Sequence, residues 1–112
     1  MVKKMIYLSR NEELILLSIW RLKDNAYGVT IRRGVMKITG KMLHFGSMYN
    51  TLDLLMRKSL VFIEESKPTA KRGGRRKKLY FLTPEGKRAL KEAQEIQQLA
   101  WQGIPEIVVE GE

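Results

Sequence analysis

Seven cations stand between Lys67 and Lys78, namely Lys67, Lys71, Arg72, Arg75, Arg76, Lys77 and Lys78, with no acid among them and Gly73-Gly74 in their middle. Like charges crowded this way repel one another unless an outside anion neutralises them, so the chemistry they suit is holding a polyanion, phosphate above all. A solvated surface loop is the plain alternative, but interleaved acids would be expected there and none occurs. Arg75 and Arg76 border the second strand and can serve structure, which leaves Lys71 and Arg72 as the clearest phosphate contacts, with Lys77 behind them.

The rest of the composition narrows the choice. The 112 residues carry 21 Lys plus Arg against 12 Asp plus Glu, a net charge of +9, and 44% hydrophobic content is enough for one globular core. There is no Cys and a single His, His44. Thiolate zinc sites, cysteine nucleophiles and histidine metal cages are therefore excluded, and no metal or cofactor is expected. Ser, Asp and Glu are present, but His44 lies in no recognisable nucleophile motif, so no catalytic residue is assigned. His44 is read as a local hydrogen-bonding residue within reach of a phosphate. The start, Met1 to Leu8, is too short for a signal peptide. The most apolar run, Leu14 to Trp20, falls far short of the ~20 residues of a membrane span, so a cytoplasmic location without membrane contact is expected.

The elements that must position these groups follow from pattern. Ser9 and Glu12 form a capping box that opens a helix over Arg10 to Lys23, with Leu14, Ile15, Ser18, Ile19 and Leu22 inward and Trp20 expected in the core. A second helix fits Tyr27 to Thr39, with Ile31, Val35 and Ile38 on its apolar face and Gly40 as its stop. Met42 to Phe45 reads as an extended link. Ser47 is then the N-cap of a third helix from Met48 to Lys58, whose stripe Met48, Leu52, Leu55 and Met56 leaves Asn50, Thr51, Asp53 and Arg57 outward.

Leu60 to Ile63 and Leu79 to Leu82 are short strands, and the cationic stretch between them is the tip of a hairpin. Thr83-Pro84-Glu85 opens a last helix reaching about Gln102, on which Ala89, Ala93, Ile96 and Ala100 are spaced as a narrow pairing seam. Trp101 follows that seam and is costly to leave in water, so a partner surface is expected there. The tail 103–112 reverses sign and is expected to be without fixed structure, with an added strand or a partner contact as the alternative.

Three helices, strand, basic loop, strand and helix is the order of a winged helix-turn-helix. The chain is thus expected to be mainly α with a small β-hairpin: residues 1–82 a DNA-binding domain, 83–102 a dimerisation helix, 103–112 an acidic tail. The residues also resemble the PadR family of bacterial transcriptional regulators from about Leu14 to Ala100. Tyr27-Gly28 with Ile31, Gly46 to Leu52, Arg57 to Val61, Gly73 to Tyr80, Leu82 to Gly86 and Ala89-Leu90 carry the likeness. Two residues depart from it: Ser59, where the family usually has Gly, and Gly34, where it usually has a helix former.

The resemblance implies that Tyr49 packs its ring inward while its hydroxyl reaches a phosphate. Asn50 and Thr51 are candidates for base or phosphate contact or for plain solvent exposure. Ser47 and Arg57 complete the DNA-facing set. The expected function is a homodimeric repressor on a palindromic operator, with double-stranded DNA as partner and, as the family implies for some members, a small planar apolar effector near Trp101. A non-specific architectural or RNA-binding protein is the alternative that charge alone would permit.

Overall fold

A computed structural model describes residues 7–66 and 77–111. The described elements are α1 (Arg10–Leu22), α2 (Gly28–Thr39), α3 (Phe45–Arg57), β1 (Val61–Glu65), β2 (Lys78–Leu82) and α4 (Pro84–Trp101). This is the expected winged helix-turn-helix with a helix added behind the hairpin.

The capping box of α1 is present: the Glu12 N–H donates to Ser9 Oγ at 3.1 Å and the Ser9 N–H to Glu12 Oε1 at 2.8 Å. Glu12 also accepts from Lys58 Nζ at 2.7 Å, which ties the start of α1 to the end of α3. Burial works to raise the pKa of this carboxyl, but the Lys58 ammonium and the Ser9 hydrogen bonds outweigh it and hold the pKa below its ordinary value. Ile15, Leu16 and Ile19 are the buried face of α1. Trp20, expected in the core, is instead 55% exposed. The helix is apolar over more of its circumference than its neighbours cover, and Trp20 falls on the uncovered side.

Ile31 and Val35 bury the inner face of α2, whereas Ile38, expected with them, is 43% exposed because the helix has by then passed the edge of the core. The unusual Gly34 has a packing reason. A Cβ there would lie 3.2 Å from both Cβ and Oγ of Ser18, so glycine lets α1 and α2 approach closely while α2 continues through it. Gly40 ends the helix at φ 75°, as expected.

The start of α3 differs from expectation. It begins at Phe45 with His44 as N-cap, because the Met48 N–H already donates to the His44 carbonyl at 2.9 Å. Ser47 therefore lies inside the first turn and does not cap; its carbonyl accepts from Thr51 Oγ1 at 3.0 Å. Met48, Leu52 and Leu55 are fully buried. The helix closes with the Leu60 N–H on the Leu55 carbonyl and the Ser59 N–H on the Met56 carbonyl, both at 2.9 Å, which sets Ser59 at φ 61°. A serine thus occupies a left-handed position that glycine adopts more cheaply.

In the hairpin Val61 faces Leu82 and Ile63 faces Tyr80, and Val61, Tyr80 and Leu82 turn into the core. The alternation that buries them sends Phe62 and Phe81 to the other face, where their rings stack at 5.5 Å. The Tyr80 N–H donates to the Ala26 carbonyl at 2.8 Å, fixing the hairpin to the turn between α1 and α2. Thr83 caps α4 through the Gly86 N–H at 3.0 Å, while its own hydroxyl donates to the Ser59 carbonyl at 2.6 Å. Gly86 passes beneath the Leu60 carbonyl, where a Cβ would come within 2.1 Å. Ala89, expected in a pairing seam, is 1% exposed and belongs to the core of its own chain. Beyond it the same face opens: Ala93 and Ile96 are half-buried, and Gln97 to Trp101 are all exposed. Residues 103–111 are exposed and form neither helix nor strand.

Candidate nucleic-acid interface

The buried stripe of α3 determines what its opposite face offers. Gly46, Asn50, Asp53 and Arg57 recur at i, i+4, i+7 and i+11, all exposed, and lie about half a turn from Met48 and Leu55. A Cβ at Gly46 would meet nothing within 4 Å, so this first turn presents bare backbone. Ser47 and Leu54 flank the stripe on one side and Tyr49 on the other. Thr51 is rotated toward the core, is only half exposed, and has its hydroxyl engaged by the Ser47 carbonyl. Asn50, with two donors and an acceptor, and the fork of Arg57 are the groups here suited to base edges or phosphates. Asp53 adds a carboxylate, an acceptor for an amino group and a repellent for phosphate.

Beside this stripe, Tyr49, the N-terminus of α2 and the foot of the hairpin form a cleft lined by Tyr27, Gly28, Val29, Lys77, Lys78 and Tyr80. Gly28 is what lets Tyr49 reach it: a Cβ on Gly28 would stand 2.1 Å from the Tyr49 hydroxyl oxygen. The Lys77 ammonium sits 3.8 Å from the centre of the Tyr27 ring, held over the cleft by a cation–π contact. The Thr30 hydroxyl accepts the Tyr27 N–H at 2.9 Å and donates to the Asn25 carbonyl at 2.6 Å, fixing the start of α2. A helix N-terminus, a phenol and an ammonium converging on one open cleft can bind an anionic oxygen. Tyr80 stays a neutral phenol: burial raises its pKa, and the proximity of Tyr49 and Asp53 raises it further.

The Arg32 guanidinium covers the Phe45 ring at 4.0 Å and donates to the Leu43 carbonyl at 2.6 Å, and Phe45 and Tyr49 stack at 6.3 Å. Arg32 thereby holds the link before α3 in place. The structure thus brings Tyr49 and Lys77 together and places Asn50 and Arg57 on the adjoining face. Lys71, Arg72, Arg75 and Arg76 lie outside the described residues. Sequence reasoning missed Tyr27, and it counted Lys78 among the seven cations without assigning it to the DNA-facing set. The aromatic at the helix boundary was legible in Tyr27-Gly28, but its use as a platform for Lys77 depends on how the hairpin packs. Among the described residues no group of His, Asp or Glu could hold a metal ion, and no helix is long and apolar enough to cross a membrane.

Comparison with known proteins agrees with this architecture. A PadR family transcription regulator from Clostridium difficile is 31% identical and superposes with a TM-score of 0.65, covering 86% of this chain and 91% of that one. RosR from H. salinarum is 26% identical with a TM-score of 0.66, over 88% and 81% of the two chains. Bordetella bronchiseptica BpsR, 16% identical with a TM-score of 0.60 over 88% of this chain and 68% of its own, shares the fold. No curated protein sequence matches the chain. The family model of PadR-like transcriptional regulators matches residues 16–92, from the middle of α1 into α4. With a wing, a bare-fronted third helix and a cationic cleft between them, the chain belongs to the PadR-like family of transcriptional regulators.

Proposed function

We propose that the protein is a homodimeric repressor that places two copies of α3 in successive major grooves of a palindromic operator. The observation that carries this is the face shared by the stripe Gly46, Asn50, Asp53 and Arg57 and the Tyr49–Lys77 cleft. In the proposed complex Asn50 and Arg57 read or brace the duplex, Tyr49 and Lys77 take a backbone phosphate, and the basic wing, Lys71, Arg72, Arg75 and Arg76 included, adds further phosphate contacts. Dimerisation runs through α4, where Ala93, Ile96 and Ala100 continue a face that the body of the chain covers only as far as Ala89, with Trp101 beside it at the end of the helix. Bound at a promoter, such a dimer excludes polymerase.

The proposal extends to an effector. Trp101 is 53% exposed at the end of the pairing helix, where a planar apolar ligand can stack on the indole and alter the relation of the two reading heads. The DNA binding of BpsR is regulated by 6-hydroxynicotinic acid, itself a flat ring. Footprinting on the promoter upstream of the gene, with fluorescence anisotropy across a salt series, tests the DNA reading. A dimer neutralising on the order of 6 to 10 phosphates gives a log–log slope of roughly −5 to −9 and a footprint with two-fold symmetry. A slope near zero refutes DNA binding through this face, and equal affinity for every duplex refutes operator choice.

A further inference from the structure

We propose that the acidic tail of each chain, residues 103–111, docks on its dimer partner, in the groove between the outer face of the hairpin and the end of α1. The proposal rests on the homodimer above and adds a second contact to it. The groove floor is Trp20 with the stacked pair Phe62 and Phe81, and its rim carries Arg21, Lys23 and Lys87 against one acid, Asp24. Lys87 already leans over the Trp20 ring, 5.2 Å from its centre. Trp20 and Phe62 are 55% and 41% exposed, an aromatic patch that water covers poorly.

The tail has the complementary chemistry. Ile107 and Val109 are 66% and 52% exposed, and Glu106 and Glu110 flank them. In an extended chain Ile107 and Val109 point one way and the two acids the other, so a strand laid in the groove sets its apolar pair on the aromatic floor and its carboxylates along the cationic rim.

Geometry selects the partner's groove over the chain's own. Lys87 and Trp101 are separated by about 21 Å of α4 at 1.5 Å per residue. The Ile104 N–H donates to the Trp101 carbonyl at 3.0 Å, so the chain turns there and gains little length, and from Ile104 to Ile107 it spans at most about 11 Å; Ile107 therefore does not reach back to the groove from which its own helix departs. An isologous contact removes the difficulty. Antiparallel pairing of two α4 helices about a two-fold axis between Ala93 and Ile96 sets Gly103 opposite the partner's Gly86, the residue next to Lys87. The tail is then delivered to the mouth of the partner's groove. Because that groove includes the outer face of the wing, tail docking also braces the hairpin that carries the basic tip.

The absence of cysteine makes the test direct. One chain carries Arg21→Cys and a second carries Val109→Cys; sedimentation of each first establishes its oligomeric state, and the two are then mixed, allowed to exchange and oxidised. The expected result is a covalent heterodimer in the mixture, suppressed when Ile107→Asp is added to the Val109→Cys chain, with that substitution weakening dimerisation at least roughly ten-fold. Dimers that sediment normally but form no such disulfide overturn the docking and leave the homodimer standing. A third chain carrying both substitutions is oxidised alone, and a disulfide that forms only within it overturns docking in trans. Monomers at every concentration overturn the homodimer itself, and the tail proposal with it.

Discussion

Replacing Gly28 with Ala separates the stability of this fold from its use. The new Cβ would lie 2.1 Å from the Tyr49 hydroxyl oxygen and 3.0 Å from Cζ, against an ordinary contact of 3.4 Å or more, so the phenol must move by more than about 1 Å. What must move is the end of a side chain 43% exposed, with open solvent to turn into. Residue 28 is also the first of α2, where Ala is at least as good a helix former as Gly. The thermal midpoint of Gly28→Ala should therefore shift by no more than the few degrees that about 1 kcal/mol represents. DNA affinity should respond much more. A hydrogen bond from a phenol to a charged phosphate contributes about 1.5–3 kcal/mol, and a dimer makes two, so the expected loss is on the order of 10²- to 10⁴-fold. Tyr is neutral, so the salt slope should stay that of wild type, whereas Lys77→Ala should make it shallower by about 2 per dimer. Fluorescence anisotropy on one operator duplex measures both quantities, with Tyr49→Phe as the variant that loses the hydroxyl without any clash. If Gly28→Ala and Tyr49→Phe both bind as wild type does, Tyr49 is not a phosphate ligand and the cleft is not part of the interface.

Three further outcomes concern stability. Ser59→Gly relieves a side chain held at φ 61° and should stabilise by about 1 kcal/mol, read as a higher midpoint in urea with an unchanged slope. Ser18→Ala removes a buried hydroxyl that has no hydrogen-bond partner among the described residues, and should be neutral or stabilising by up to about 1 kcal/mol despite lying in the α1–α2 contact; a clear loss of stability would show that the hydroxyl has a role. Lys58→Met strands the Glu12 carboxylate and should cost about 1–2 kcal/mol at pH 7, less than for a fully buried pair because the Lys58 side chain is 37% exposed. The Glu12 pKa is lowered on folding, so the contribution of this pair is complete above its ordinary value of 4.5 and is lost as pH falls through the lowered value. Urea titrations at pH 7 and at acid pH should accordingly show the gap between Lys58→Met and wild type closing as pH falls.

How far the sequence alone determined this protein depends on whether the information was local. The caps Ser9, Gly40 and Thr83, the stripe Met48–Leu52–Leu55 and the alternation of the strands are set by residues within a turn or two of one another, so element type and order could be read directly, as could the single-sign charge between them. The left-handed position of Ser59 was signalled only through the family resemblance, in which Gly usually stands at that helix-ending position. Where two possible caps lie within four residues the local signal is degenerate, and α3 took His44 as its cap in place of Ser47. Burial could not be read this way. Leu17 and Trp20 are as apolar as Ile15 and Ile19, and Ala89 sits on the same helical line as Ala93 and Ala100; only the positions of the hairpin and α4 decided which of them the core would take. The meeting of Tyr49 with Gly28, and of Lys77 with Tyr27, joins residues 21 and 50 positions apart. Such a meeting is a property of packing, because the side chains that make the cleft have no common pattern until three elements bring them to one place.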